Sequence, residues 1–121
     1  MKILVVDDNQ DLAFLIKWML EEEGYEVRSA RDGSDGYSTY LLFNPDLVLT
    51  DIQMPEKKGL ELIREIRSHN PGVRTIYMSG DLSPYWFPLE EEKEKYHVGV
   101  LEKPFSKNEL MGLVSRLTAQ R

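Results

Sequence analysis

Three short, almost wholly apolar runs dominate the layout of the chain: Ile3-Leu4-Val5-Val6, Leu47-Val48-Leu49-Thr50 and Val98-Gly99-Val100-Leu101. A half-exposed strand alternates apolar with polar side chains, so unbroken runs of this length point to strands covered on both faces, the situation of a parallel sheet. Strand-like stretches at residues 2–6, 25–30, 46–50, 73–78 and 98–101 alternate with helix-length segments, without repeats or low-complexity tracts. This rhythm predicts an α/β domain built from βαβ units around one parallel sheet. Each of the three runs is followed by charge: Asp7 and Asp8 after the first, Asp51 after the second, Lys103 after the third. In an open α/β sheet the carboxyl ends of the strands border the ligand crevice, so these side chains are the first candidates for function.

Helix signals fill the intervals. Leu12, Leu15, Ile16, Met19 and Leu20 recur at helical spacing over residues 11–23, and Gly24 is placed to end that helix. A weaker pattern over 34–43 offers Tyr37, Tyr40 and Leu41 to the core before Asn44-Pro45 stops it. Residues 59–68 carry Leu60, Ile63, Ile66 and Arg67 on the amphipathic period, and Asn70-Pro71-Gly72 turns the chain into the next strand. The last helix begins at Ser106, with Glu109 in the capping-box position, and offers Leu110, Leu113, Val114 and Leu117 for burial. Between Asp81 and His97 the pattern breaks. Pro88 should interrupt a helix started at Ser83-Pro84, which leaves a short fourth helix running mainly through residues 90–96.

At 121 residues the chain fits one domain, 1–121, with no output domain after it. There is no cysteine, hence no disulfide, thiol nucleophile or zinc-thiolate site. No signal-peptide pattern opens the chain and no apolar run approaches the ~20 residues of a membrane span, so a soluble, cytoplasmic protein is expected. A formal charge of −6, from 21 acidic against 15 basic residues, argues against direct nucleic-acid binding. The runs Glu21-Glu22-Glu23 and Glu90-Glu91-Glu92 read as solvated helix surface, because adjacent helical residues point in different directions.

Clustered carboxylates disfavour one another's ionisation, and a bound cation relieves the conflict. Mg²⁺ takes oxygen ligands and is commonly held by one or two carboxylates plus phosphate oxygens, so Asp8 and Asp51 can ligate it directly and Asp7 through water. Such a site would bind a phosphoryl group, with the Lys103 ammonium and the Ser79 hydroxyl to neutralise and hold its oxygens. Asp51 is then the candidate nucleophile. Each residue also has a plainer use. Asp7, Asp8 or Asn9 could cap the first helix, Asp51 and Ser79 could be turn residues, and Lys103 a surface charge. The joint pattern is harder to dismiss, because strands expected in one sheet end in complementary parts of one phosphate-and-metal site.

The chain resembles the receiver domains of response regulators, the phosphoacceptors of two-component signalling. The resemblance spans its whole length and rests on Ile3-Leu4-Val5-Val6-Asp7-Asp8, on Asp46-Leu47-Val48-Leu49-Thr50-Asp51-Ile52-Gln53-Met54-Pro55 with Gly59, on Ser79-Gly80 and on Lys103-Pro104-Phe105. It implies a doubly wound, flavodoxin-like (βα)5 domain with strand order 2-1-3-4-5. It also implies that Asp51 takes a phosphoryl group from the phosphohistidine of a sensor histidine kinase or phosphotransfer protein, with weak self-catalysed transfer and hydrolysis in place of metabolic enzyme activity. Asp7, Asp8, Asp51 and the backbone carbonyl of Gln53 would hold Mg²⁺, Ser79 and Lys103 the phosphoryl oxygens. Lys103-Pro104 would be a cis peptide, Ser79 would begin the switch, and Gln53 and Asp81 would tune phosphate lifetime. Output would pass to an unknown partner protein, from a monomer or a phosphorylation-linked homodimer.

One position departs from the pattern. Family members usually carry Tyr or Phe three residues before the lysine, where this chain has Val100, which has no ring to swing. The aromatics of Pro84-Tyr85-Trp86-Phe87-Pro88 would then fill the vacated space or form a docking patch, with Trp86 reporting the switch. Val100 also supports an alternative, a pseudo-receiver that binds partners without phosphorylation. A haloacid-dehalogenase-type phosphatase fits poorly, since neither Asp7-Asp8-Asn9 nor Asp51-Ile52-Gln53 places a second Asp two residues after the nucleophile. A flavin-binding flavodoxin would need hydroxyls and free amides where the first loop is acidic.

Overall fold

The computed structural model describes residues 1–119; residues 120 and 121 of the expected domain lie outside the described residues. Strands β1 (Lys2–Val6), β2 (Glu26–Ala30), β3 (Leu47–Asp51), β4 (Arg74–Ser79) and β5 (Val98–Glu102) alternate with helices α1 (Gln10–Glu22), α2 (Gly33–Phe43), α3 (Gly59–Arg67), α4 (Trp86–Lys95) and α5 (Lys107–Ala119). The strands form one sheet in the order β2-β1-β3-β4-β5, parallel at every pairing. This is the doubly wound, flavodoxin-like arrangement expected from the sequence.

Helices on both faces explain the unbroken apolar runs. Ile3, Val5, Leu49, Ile76 and Met78 pack on one side with Ile16 and Leu20 of α1 and Leu110 and Val114 of α5. Leu4, Val6, Val48 and Tyr77 pack on the other with Leu62, Ile63 and Ile66 of α3. Every residue of β3 is buried, whereas the edge strand β2 buries only Val27 and Ala30.

Local chemistry sets the helix ends. The Asn9 side chain accepts the Leu12 N–H at 3.2 Å and caps α1. At the other end Gly24 has φ +93°, and the N–H groups of Tyr25 and Gly24 donate to the carbonyls of Leu20 and Glu21, which closes the helix as only a left-handed residue allows. Ser106 and Glu109 exchange hydrogen bonds of 3.1 Å each, the capping box predicted for α5.

Four expectations need correction. Leu15 and Leu41 are exposed, because the inward stripes run through Ala13, Ile16 and Leu20 and through Gly36, Tyr40 and Phe43, about 100° around each helix. The second helix starts at Gly33, capped by Asp32, whose carboxylate accepts the Asp35 N–H at 2.8 Å. Pro88 does not interrupt α4. The helix starts at Trp86 after a 3₁₀ turn over Ser83–Tyr85, so the proline falls in the first turn, where N–H groups have no intrahelical acceptor. Finally, Glu92 is not free surface charge.

Glu92 is the hub of a mostly buried cluster. Both terminal nitrogens of Arg67 donate to its carboxylate at 2.9 Å, and the Tyr77 hydroxyl donates to Oε1 at 2.7 Å. The Arg67 guanidinium also stacks 3.5 Å from the Tyr96 ring centroid. Burial would favour the neutral form of Arg67, but Glu92 more than offsets it; burial and Glu92 together push the Tyr77 phenol up, so it stays a donor. The cluster fastens α4 to α3 and β4. Breaking a buried pair leaves an uncompensated charge, so Glu92→Ala should cost about 3 kcal/mol, read as a lower urea midpoint.

Candidate functional site

Strand order reverses between β1 and β3, and the crevice at their carboxyl ends collects the acidic residues. Asp7 directly follows β1 and Asp51 is the last residue of β3. One carboxylate oxygen from each of Asp7, Asp8 and Asp51 lies within 4.8 Å of the others. Asp7 is wholly buried, Asp51 nearly so, and Asp8 is exposed at the rim.

Because Asn9 caps α1, Asp7 and Asp8 are not needed for that task. Asp7 instead accepts the Asn9 N–H at 2.9 Å through one oxygen and the Lys103 ammonium at 2.9 Å through the other. Lys103 also lies 3.4 Å from Asp51 Oδ2. Its own backbone N–H is tied to the Ser79 carbonyl at 2.8 Å, and the following bond to Pro104 is cis. Burial alone would lower the Lys103 pKa, but Asp7 and Asp51 reverse this and raise it, so the group is cationic. For Asp51, burial raises the pKa first; Lys103 opposes that, and Asp7 and Asp8 add to it.

The Asp51 backbone is pinned from two sides. The Ile52 N–H donates to the Met78 carbonyl at 2.9 Å, and the Gly59 N–H to the Ile52 carbonyl at 3.0 Å. Any Cβ at Gly59 would collide with the Asp51 carbonyl, so only glycine lets α3 start this close to the candidate nucleophile.

The remaining predicted residues lie on β4 and β5 and in the loops after β3 and β4. Ser79, at the end of β4, has its hydroxyl turned to Asp81, donating to the carbonyl at 2.9 Å and accepting the N–H at 3.1 Å. The Asp81 carboxylate accepts the Ser83 N–H at 3.0 Å. The Gln53 side chain donates to the Tyr85 hydroxyl. Val100 lies opposite Tyr77 in the β4–β5 register, half-buried against the core on that side. Trp86 and Phe87 do not fill the space beside it: both are exposed, in edge-to-face contact 5.8 Å apart. Tyr85 is the aromatic of this run that packs inward, against the same core as Val100. Its contact with Gln53 was not legible in the sequence, where it is one member of an aromatic run. The only signal available was Ser83-Pro84, which fixes the turn that aims it.

Beside Lys103 lies an apolar groove of about 390 Å³ lined by Leu12, Leu15, Met19, Pro104 and Phe105. Among the described residues no helix is long and apolar enough to cross a membrane.

The fold and its switch point define a doubly wound α/β domain with an acidic crevice at the carboxyl ends of its strands. A family model for the response regulator receiver domain matches residues 3–115, and the chain belongs to that family. Solved structures agree. The chain is similar to the chemotaxis protein CheY4 of Vibrio cholerae (27% identity, 96% of this chain and 97% of that one covered, TM-score 0.85). It is similar to the receiver domain of NtrX from Brucella abortus (28% identity, 98% and 99% covered, TM-score 0.86). It is also similar to the response regulator TrrA of Thermotoga maritima, solved in complex with Mg²⁺ and BeF (34% identity, 96% and 97% covered, TM-score 0.83). Aspartate phosphorylation and Mg²⁺ binding in an acidic pocket are features of this family, whose members work with histidine kinases and output domains. The donor set here fits that ion: three carboxylates converge, and hard oxygen ligands are what Mg²⁺ prefers.

Ionised Asp51 is opposed by burial and by its acidic neighbours, which has a consequence for stability. A carboxylate whose folded pKa is raised destabilises the fold once ionised, above the folded pKa, and costs nothing below the unfolded one. Asp51→Asn should therefore raise the melting temperature by a few degrees at pH 7, with the gap closing as pH falls through the carboxylate range and narrowing when Mg²⁺ is added to the wild type. Scanning calorimetry across pH checks this.

Proposed function

We propose that this receiver accepts a phosphoryl group on Asp51 from the phosphohistidine of a sensor histidine kinase or phosphotransfer protein. The observation that carries the reading is the Lys103 ammonium set between buried Asp7 and Asp51, with Asp8 at the rim. An Asp51 carboxylate oxygen attacks phosphorus, the P–N bond breaks, and its electron pair stays on the imidazole nitrogen, which takes a proton from solvent. Lys103, already 3.4 Å from Asp51, neutralises a phosphoryl oxygen as charge spreads in the transition state. Asp7 keeps the lysine oriented. Ser79 exchanges its partner Asp81 for a phosphoryl oxygen and thereby moves the loop after β4, which biases two conformations close in free energy.

Asp8, Asp51 and the Gln53 carbonyl, with Asp7 assisting, would hold Mg²⁺, which supplies charge neutralisation when bound. The Mg²⁺–BeF complex of TrrA supports that role. The apolar groove beside Lys103 suits the donor protein, which must bring its phosphohistidine to this end of the sheet. Residues 1–121 act as one phosphoacceptor domain in the cytoplasm, monomeric or dimerising on phosphorylation, and output passes to a partner. Gln53 and Asp81 tune the lifetime of the phosphoryl group.

A second reading, a pseudo-receiver, is favoured by Val100 alone. Intact-mass spectrometry after incubation with Mg²⁺ and phosphoramidate or acetyl phosphate separates the two. The wild type should gain one phosphoryl group and Asp51→Asn none, while Lys103→Met should gain it at least roughly tenfold more slowly. If the wild type gains nothing, even from a phosphorylated histidine kinase, the pseudo-receiver reading stands.

A further inference from the structure

Two loops border the open side of the crevice, the one after β3 that carries Gln53 and the one after β4 that runs from Gly80 into the 3₁₀ turn Ser83–Tyr85. One side-chain hydrogen bond joins them, from Gln53 Nε2 to the Tyr85 hydroxyl. Both ends of this bridge are held from behind. On one side the Ile52 backbone is bonded to Met78 and Gly59, and Met54 is buried, so little besides the side-chain torsions of Gln53 is free. On the other, the Tyr85 N–H donates to the Leu82 carbonyl at 2.9 Å and its ring packs against the core that also backs Val100. Tyr85 directly precedes α4, which the Arg67–Glu92–Tyr77 cluster fastens to α3 and β4. A well-held phenol therefore fixes an exposed amide at the mouth, two residues beyond Asp51.

We propose that Tyr85 is a positioning residue for the Asp51 site: by holding the Gln53 side chain across the mouth it restricts the approach of water and lengthens the life of the aspartyl phosphate. The inference rests on the reading of Asp51 as phosphoacceptor and adds a residue to it. In hydrolysis a water oxygen forms a bond to phosphorus, the bond from phosphorus to the Asp51 oxygen breaks, and Asp51 leaves as a carboxylate. The products are inorganic phosphate and a proton released to solvent. The water must arrive opposite the breaking bond, from the open side of the crevice, where the bridged pair narrows the path. No proton passes through Tyr85.

The test is the decay of phosphorylated protein, followed by intact mass after removal of the phosphodonor, for wild type, Tyr85→Phe, Gln53→Ala and the double variant. Tyr85→Phe keeps the ring and its packing and removes only the hydroxyl. It should speed decay roughly three- to tenfold, the effect of one lost hydrogen bond. Gln53→Ala should do the same, and the double variant should decay no faster than the faster single one, since both remove one bridge. Decay of Tyr85→Phe at the wild-type rate, or a double variant whose effect is the product of the two singles, overturns the proposal while leaving Asp51 as acceptor. A folded wild type that takes up no phosphoryl group overturns the functional reading and this inference with it.

Discussion

Asp7 is a carboxylate with no solvent exposure, and a buried anion survives only where it is paired and hydrogen-bonded. The partner is Lys103, delivered from the far edge of the sheet across a sequence distance of 96 residues. This ion pair holds together the parts of the site. It draws the loop after β5 over the carboxyl ends of β1 and β3, it lets a carboxylate sit beside Asp51 despite mutual repulsion, and it aims the ammonium at the one carboxylate left under-compensated. The raised pKa of Asp51 comes first from burial, with Asp7 and Asp8 adding to it against Lys103; one cation faces three anions, and the deficit invites a further cation or an electrophile. A site built this way stores unfavourable electrostatics in the resting domain and releases it on binding.

How much of this could be read from the sequence follows from the range of the forces involved. Strands buried on both faces leave unbroken apolar runs, so β1, β3 and β5 and the polar residues at their ends were legible, as were the caps at Gly24 and Ser106, which are local chemistry. Helix faces were legible only to within one residue: Leu15 and Leu41 follow an apolar period and still point outward, because sheet contact selects a narrower stripe. Glu92 was misread because its two neighbours in sequence are exposed, and only the packing of α4 on α3 brings Arg67 and Tyr77 to it. Pro88 looked like a breaker because a helix starting at Ser83-Pro84 would hold the proline inside it; α4 starts at Trp86, and the proline falls in its first turn. The Tyr85–Gln53 bridge joins residues 32 apart in loops of irregular backbone, where neither period nor propensity speaks.

The departure at Val100 takes on a different meaning beside these contacts. The strand position opposite it belongs to Tyr77, an aromatic whose hydroxyl is committed to Glu92. The chain thus has a ring on this face of the sheet and ties it to α4. Tyr85 supplies the second ring, on the loop side. Aromatic bulk on this side thus comes from a fixed strand residue and from a turn residue whose hydroxyl meets Gln53.

The switch role proposed for Ser79 would need little to move. The Ser79 carbonyl accepts the Lys103 N–H, which ties the strand end to the segment after β5, while its hydroxyl holds the N–H and carbonyl of Asp81 in a tight turn. A rotation about χ1 of this one serine breaks both bonds together. Asp81 is exposed, so water can take up the two released backbone groups and no orphaned donor or acceptor is left behind. If Ser79 serves as the proposed switch, this pair of bonds is a detent, released by one torsion whose broken bonds solvent largely replaces.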